Sequence, residues 1–600
     1  MEIQSVLIPQ KNICDVEELY FHRDGDWVLF NGYFNLFYLE KHHKYCDIEK
    51  LSLELEIKGV KRVVLMHDDA EIIVHDFAGC NDRQRVSVTL PYFEYEKGVF
   101  WFKALLDESC VKRDSGGIEQ SWLIRGYFDG KTKENVLVEL GINICTFRRE
   151  KYVFRNMKSL IEWAEDRKGI DGKGHAAAEH MHVFIIDNGQ TLSKDETFMS
   201  LIQKAEIDVI PNANTGGTGG FSRGMVEAMN RKDELGLTHL LMMDDDAVFD
   251  PDLFVRLYGF LSMLRPEYRE ITVGGALLRE DYQYIQHASG EWFTDFKVIN
   301  EHPLVDLRNY DNCTADWMCG TDKEHRSYGA WWCCCYNMNA ITKENLPLPI
   351  FVHHDDIQFG MKQTKRGIVF LNGIGVWHQG FELVFPGVKQ YYNMRNTLIT
   401  MKMFEPDNLS RKMHKWAARR YIGMLVSYRY ADCEFVYRGY KDFKKGKKWL
   451  LASSPEDIHK ELSNTNRRFC GMKTIAELEL SEAEKQLVYE QIYEKTGIDF
   501  GKPGLEKKEK KQIKILPDQL REYYTSTRFQ TDFLKKLTFN GWFLPAKKGV
   551  KVITPLDSPW DVYRYKKILL YEPATEKGAV MNRSNFEFFK GVLRIIYLLV

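Results

Sequence analysis

The sequence predicts an α/β chain: a mainly parallel, doubly wound sheet at its centre, an antiparallel β-sandwich before it and a mostly helical region after it. Three observations lead there. Between residues 138 and 248, short apolar runs alternate with helical segments, and each run stops at a polar residue or a glycine turn. Before residue 135, runs such as Leu51–Ile57 alternate apolar and polar residues with period two. Beyond residue 400, apolar residues recur at helical spacing among Lys and Arg, as in Lys412–Leu425. A chain of 600 residues exceeds one ordinary core. The expected regions are a sandwich over 1–135, a catalytic domain over 136–400 and a helical domain over 401–600.

In the first region Leu51–Ile57, Arg62–Met66 and Val86–Leu90 read as strands. Tyr33, Phe34, Phe37 and Tyr38 fit core packing better than a sugar-binding face. In the second, Val138–Thr146 runs into Phe147-Arg148-Arg149, with a helix expected around Met157–Arg167. His182–Ile186 then ends at Asp187-Asn188-Gly189, and Ile207–Ile210 leads to Asn212-Ala213-Asn214 and a glycine-rich loop, with a helix starting near Phe221. Leu240–Met243 climbs into Asp244-Asp245-Asp246. An apolar run bounded this way is a buried parallel strand, and open α/β sheets bind ligands at the carboxyl ends of their strands. Three adjacent carboxylates repel one another, and a divalent cation with a taste for hard oxygen ligands, Mn²⁺ or Mg²⁺, relieves that cost. The glycine loop is neither a Walker A nor a GxGxxG fingerprint, which disfavours P-loop and dinucleotide readings.

A net charge of -2 gives no argument for nucleic acid. The twelve cysteines form no CxxC pair, and the N-terminus carries no secretory signal, so reduced thiols in a cytoplasmic protein are expected. No apolar run reaches the length of a membrane span. The basic segment Lys441–Trp449 and the mixed-charge connector Lys507–Lys511 read first as solvated faces. The apolar tail Phe588–Val600 reads as a packing helix or an interfacial one. Peripheral contact with anionic membrane on its inner face, and homo-oligomerisation, are left open.

The order strand-Thr146-x-Arg148, strand-Asp187-Asn188-Gly189, Asn214-x-Gly216-Gly217-x-Gly219-Gly220 and Asp244-Asp245-Asp246 resembles the inverting GT-A glycosyltransferases. More closely, it is similar to bacterial galactan-polymerising galactofuranosyltransferases. That resemblance implies a UDP-sugar donor, most simply UDP-galactofuranose, held by Thr146, Arg148, Asp187, Asn214, Asp244 and Asp245. It implies a divalent cation on Asp244, Asp246 and His378, the last within Trp377-His378, although Gln379 stands where the family often has an acid. It assigns a glycan or glycolipid acceptor to His287, Glu291, Trp331 and Trp332. Asp356 becomes the base that takes the acceptor hydroxyl's proton, with Asp355 orienting the acceptor or supporting the base. The bland reading of that pair is a helix N-cap. Arg395 is a further candidate for facing the diphosphate. Rival readings are a rhamnosyl or glucosyl donor, a nucleotidyltransferase, and an inactive carbohydrate-binding protein.

Overall fold

The computed structural model describes residues 1–600 apart from 78–82, 108–112, 115–116, 119–122, 169–175, 204, 321–327, 470, 498–519, 522 and 524–532. The connector Lys507–Lys511 lies outside the described residues. The chain divides into two compact units. The first holds residues 1–293, 298–347 and 356–378; the second holds 294–297, 348–355 and 379–600.

The period-two runs of the N-terminal region form two antiparallel sheets. One orders Glu2–Ser5, Leu123–Lys131, Lys50–Ile57 and Gln84–Thr89. The other orders His22–Asp24, Trp27–Leu29, Val99–Leu106, Val60–His67 and Ala70–Asp76. Tyr33, Phe34, Phe37 and Tyr38 are all buried, so the packing reading of these aromatics holds. They help join this region to the following sheet within one hydrophobic core: the Phe34 and Trp377 rings lie 5.5 Å apart.

That sheet comprises β1 (Leu140–Thr146), β2 (Met181–Asp187), β3 (Ile207–Pro211), β4 (His239–Asp244), β5 (Thr272–Arg279), β6 (Ile285–Ala288), β7 (Cys333–Asn337) and β8 (Ile368–His378). Helix α1 (Glu150–Lys168) follows β1, α2 (Gly216–Asn230) follows β3, and α3 (Asp355–Lys362) precedes β8. The order is β3-β2-β1-β4-β7-β5-β6, with β8 beside β5. This is an α/β core. Strands β1 to β4 are mutually parallel, as the alternation of apolar runs and helices requires. β5 and β8 keep that direction, so the sheet is mainly parallel; the exceptions are β6 at one end and, at the centre, β7, which runs antiparallel to both β4 and β5. Its Cys333-Cys334-Cys335-Tyr336 run is buried throughout, and an apolar run carries no sign of its direction.

Helix α2 begins at Gly216 rather than near Phe221, so the glycines form its first turns. Two of them permit close contact with β1. A Cβ on Gly220 would lie 2.0 Å from Cys145 Sγ, and one on Gly224 would lie 2.0 Å from Asn143 Oδ1.

The second unit is mostly helical, with α4 (Lys389–Phe404), α5 (Pro406–Val426), α6 (Tyr430–Lys444) and α7 (Asn585–Leu599). It also contains a four-stranded sheet the sequence does not announce, ordered Lys473–Thr474, Lys577–Asn582, Tyr565–Glu572 and Lys547–Ile553. In the basic segment, Lys445 pairs with Asp442 at 2.7 Å and Lys444 lies over the Tyr440 ring. No helix among the described residues is long and apolar enough to cross a membrane.

Gly224→Ala should destabilise the protein by about 1–3 kcal/mol through overpacking against Asn143, read as a lower Tm. Gly217→Ala is the control, since a Cβ there meets nothing within 4 Å.

Candidate active site

The pairing register carries the polar strand ends to one edge. Thr146 pairs with Asp187, Cys145 with Asp244, and Asp187 with Pro211. The loops after β1, β2, β3 and β4 therefore emerge together, where a doubly wound sheet holds its ligand.

The acidic triplet is the charged centre of this edge. Immediately after it, Val248 and Phe249 pair antiparallel with Trp377 and Val376 of β8. That short ladder draws the end of β8 to the triplet: His378 Nε2 lies 3.5 Å from Asp246 Oδ1. Asp244, Asp246 and His378 each offer one ligand atom, and the three atoms all lie within 4.8 Å of one another. Two carboxylates and an imidazole suit Mn²⁺ or Mg²⁺. Burial, together with the charge of Asp246, pushes Asp244 up to about 7. Burial opposes ionisation of Asp246 as well, yet its hydrogen bond to His378, the His378 charge and Arg149 hold it down at about 2. The cluster thus carries more negative potential than its protein partners neutralise, the condition a cation relieves.

Residues that the sequence did not single out hold the triplet in place. Arg149 Nη1 lies 3.0 Å from Asp245 Oδ1 and 2.5 Å from Asp246 Oδ2. From α1, Asn156 Nδ2 donates to the carbonyls of Asp245 and Ala247, and Arg155 Nη2 to that of Asp246. The signal was available in the pair Arg148-Arg149, but nothing in the sequence told the two apart. Arg148 has a left-handed φ of 55° and is exposed, with its guanidinium over the Phe147 ring.

Thr146 is buried at the end of β1. Asp187 is wholly buried, and its carboxylate accepts hydrogen bonds from the backbone N–H groups of Gly189, Thr191 and Leu192. The side chain shapes the turn after β2. Asn188, passed over in the sequence, joins the loops: its Nδ2 donates to the Gly216 carbonyl and its Oδ1 accepts from Asn212. Asn214 Oδ1 accepts from the Gly216 N–H at the start of α2.

On the other side of the sheet, His287 lies on β6 and is buried, as is Glu291 three residues beyond that strand. The paired indoles separate. Trp331 is buried against Phe221 and Phe359, and its Nε1 donates to the Tyr336 hydroxyl. It packs within the cluster that also holds Phe221, Tyr336 and Phe359. Trp332 is half-buried, and its Nε1 donates to the Gly275 carbonyl on β5. Asp356, in the first turn of α3, is half-buried, and its Oδ1 accepts from the Ile357 N–H. Tyr328, buried, has its phenol pushed up by burial and by the charges of Asp356 and Glu291. The charges of the base candidate and of the acceptor candidate Glu291 therefore both act on one phenol.

In the second unit, Asp355 is buried at the end of residues 348–355. Arg395 is also buried, and donates to the Ile350 carbonyl and the Tyr391 hydroxyl.

No protein-family model matches the chain. A search of characterised proteins finds galactofuranosyltransferase GlfT2 of Mycobacterium tuberculosis, 25% identical over 403 residues, spanning 63% of this chain and 58% of that protein. The same-named protein of Mycolicibacterium smegmatis is 25% identical over 461 residues, spanning 72% of this chain and 67% of its own length. The chain is similar to mycobacterial galactofuranosyltransferases. Over the first of these relatives it spans less than two thirds of the length. Among solved structures, S. aureus TarS 1–349 superposes with a TM-score of 0.29 at 11% identity, over 54% of this chain and 92% of that one. That superposition is too loose to bear on any residue's role.

Asp246→Ala or His378→Ala should weaken Mn²⁺ binding by at least about tenfold, measured by titration calorimetry, with the fold retained by circular dichroism.

Proposed function

We propose that the protein is a metal-dependent, inverting glycosyltransferase that moves a sugar, galactofuranose in the first instance, from a UDP-sugar to a hydroxyl of a growing glycan. The observation that carries this reading is the Asp244, Asp246 and His378 cluster at the C-terminal edge of the parallel strands. The similarity to two galactofuranosyltransferases supports the choice of sugar.

Thr146 and Asn214 belong to the edge that would hold the nucleotide, and exposed Arg148 is free to swing toward its phosphates. Asp187 and Asn188 act indirectly by fixing the loops on which those residues sit. Asp244, Asp246 and His378 would hold Mn²⁺ or Mg²⁺, which supplies Lewis-acid neutralisation of the diphosphate leaving group. Arg149 favours the ionised form of Asp245 and Asp246 and aligns them.

The acceptor oxygen attacks the anomeric carbon, the carbon–oxygen bond to the diphosphate breaks, and Asp356 receives the hydroxyl proton. One carboxylate suffices, because inversion needs no covalent glycosyl intermediate. Glu291, His287 and Trp332 form the acceptor side, with Trp331 bracing it from within the core. Asp355 supports the base.

A glycolipid acceptor agrees with the tail. On α7, Phe588, Gly591 and Leu598 are buried, while Phe586, Phe589, Leu593 and Ile596 are exposed. Exposed Phe539 and Phe543 adjoin them through the Phe588 ring. An apolar stripe of this kind suits peripheral contact with a lipid surface.

The test is a panel of UDP-sugars, including UDP-galactofuranose, with Mn²⁺ and galactofuranosyl acceptors, reading UDP release and product mass. Extension from UDP-galactofuranose that stops with chelator is the expected result; extension from a different donor would discard the sugar. Asp356→Ala should bind UDP normally and lose transfer by roughly 10²–10⁴-fold, and wild-type turnover in that variant would remove the base assignment.

A further inference from the structure

The five residues leading into Asp355-Asp356 have an unusual backbone. Phe351, His353 and His354 have φ values of 75°, 64° and 71°, in the left-handed region that side chains with a Cβ rarely adopt. None of the three is glycine. Strain of this kind persists only where the surroundings over-determine it, and the surroundings here come from α4.

Asn396 is fully buried, and its Nδ2 donates to three carbonyls of the segment: Ile350 at 3.3 Å, Val352 at 2.8 Å and His353 at 3.1 Å. Arg395 Nη2 donates to the Ile350 carbonyl at 2.8 Å. Its Nη1 donates to the Tyr391 hydroxyl at 3.0 Å, which donates in turn to Asp442 at 2.9 Å. The arginine charge is thus compensated through a buried chain of hydrogen bonds. The His354 ring is bonded on both nitrogens, to Thr397 and Thr400, and burial holds it down at about 3, so it stays neutral. Phe351 stacks on the rings of Tyr392 and His459, at 5.3 and 4.4 Å. All of these partners belong to the second unit.

We infer that Asn396, assisted by Arg395, is a positioning residue for Asp356: it holds the strained main-chain strap 350–354, and the strap fixes where the chain delivers the Asp355-Asp356 pair. The inference rests on Asp356 being the base. A network whose task was stability alone would not need three left-handed residues, since glycine at any of them would remove the steric conflict. Retaining Phe351, His353 and His354 stiffens the strap, and a general base must be held to within a fraction of an ångström of its working geometry. Asn396 supplies donors to the Val352 and His353 carbonyls and adds to the Val352 N–H and Arg395 bonds on the Ile350 carbonyl.

The test compares three variants of the full chain with the wild type. Asn396→Leu removes the three carbonyl bonds at nearly constant volume. It should leave UDP binding and the donor KM unchanged and lower kcat by roughly 100-fold, the effect of a misplacement on the ångström scale. His353→Gly covers the case in which Asn396→Leu fails to fold, because glycine takes the same φ freely and the His353 Nε2 has no hydrogen-bond partner to lose. It should keep the wild-type Tm within a few degrees while kcat falls by about tenfold. A wild-type kcat in a folded variant would overturn the inference. So would parallel loss of Tm, UDP binding and kcat in His353→Gly, which is what a merely structural strap gives. Asp356→Ala, run alongside, separates the two claims: transfer surviving there removes the base assignment itself, whereas its loss beside an unaffected Asn396→Leu removes only the positioning role.

Discussion

Three consecutive carboxylates at the end of one buried strand are the constraint around which the first unit is arranged. Each carries a charge that its neighbours oppose, and burial adds to the cost. The structure answers from three directions. The turn after β1 supplies Arg149 to Asp245 and Asp246. Helix α1 supplies Asn156 and Arg155 to the loop's carbonyls. The end of β8 supplies His378. Asp244 remains the least compensated, which is why burial and Asp246 push it up to about 7 while Asp246 itself stays at about 2. A cation held by Asp244, Asp246 and His378 would complete the balance. On this view the antiparallel pairing of Val248-Phe249 with β8 is more than an edge detail, because without it His378 would not reach a residue 132 positions away in the chain.

What the sequence reveals and what it conceals follows from the range of the interactions. An apolar run ending at Thr146, Asp187 or Asp244 is local information, and the parallel half of the sheet could be drawn from it. The direction of β7 depends on strands far away in sequence, and its uniformly apolar residues cannot encode it. The strands Lys547–Ile553 and Tyr565–Glu572 mix lysines with apolar residues, so without their partners they do not stand out from the helical segments around them.

The site shows the same division at the scale of single residues. Arg148 and Arg149 are chemically alike, and only the left-handed turn at Arg148 decides that its neighbour reaches the triplet. Trp331 and Trp332 are adjacent and nearly equivalent in composition terms, yet one is locked among Phe221, Phe359 and Tyr336 while the other keeps exposed surface. Asp187 sits in an Asp-Asn-Gly turn, and the carboxylate that looked ready for a ligand is used by the turn itself. In each case the residue type was legible and its orientation was not.

The two acidic sites also differ in how they must be held. A metal ligand works as a carboxylate, so arginine and histidine partners that keep it ionised serve its purpose. A general base has the opposite requirement: a guanidinium bonded to it would lower its pKa and take away the basicity the reaction needs. Fixing such a group through the main chain avoids that conflict. The strap before Asp355-Asp356 is held by bonds to its carbonyls, by stacking on Phe351 and by a neutral imidazole at His354. Arg395, which donates to the Ile350 carbonyl, is also directed to Tyr391 and through it to Asp442. The cost is three residues in a conformation they would otherwise avoid, about 1–2 kcal/mol each. Restraint by backbone is expensive, but it places no demand for a cation on the carboxylate itself.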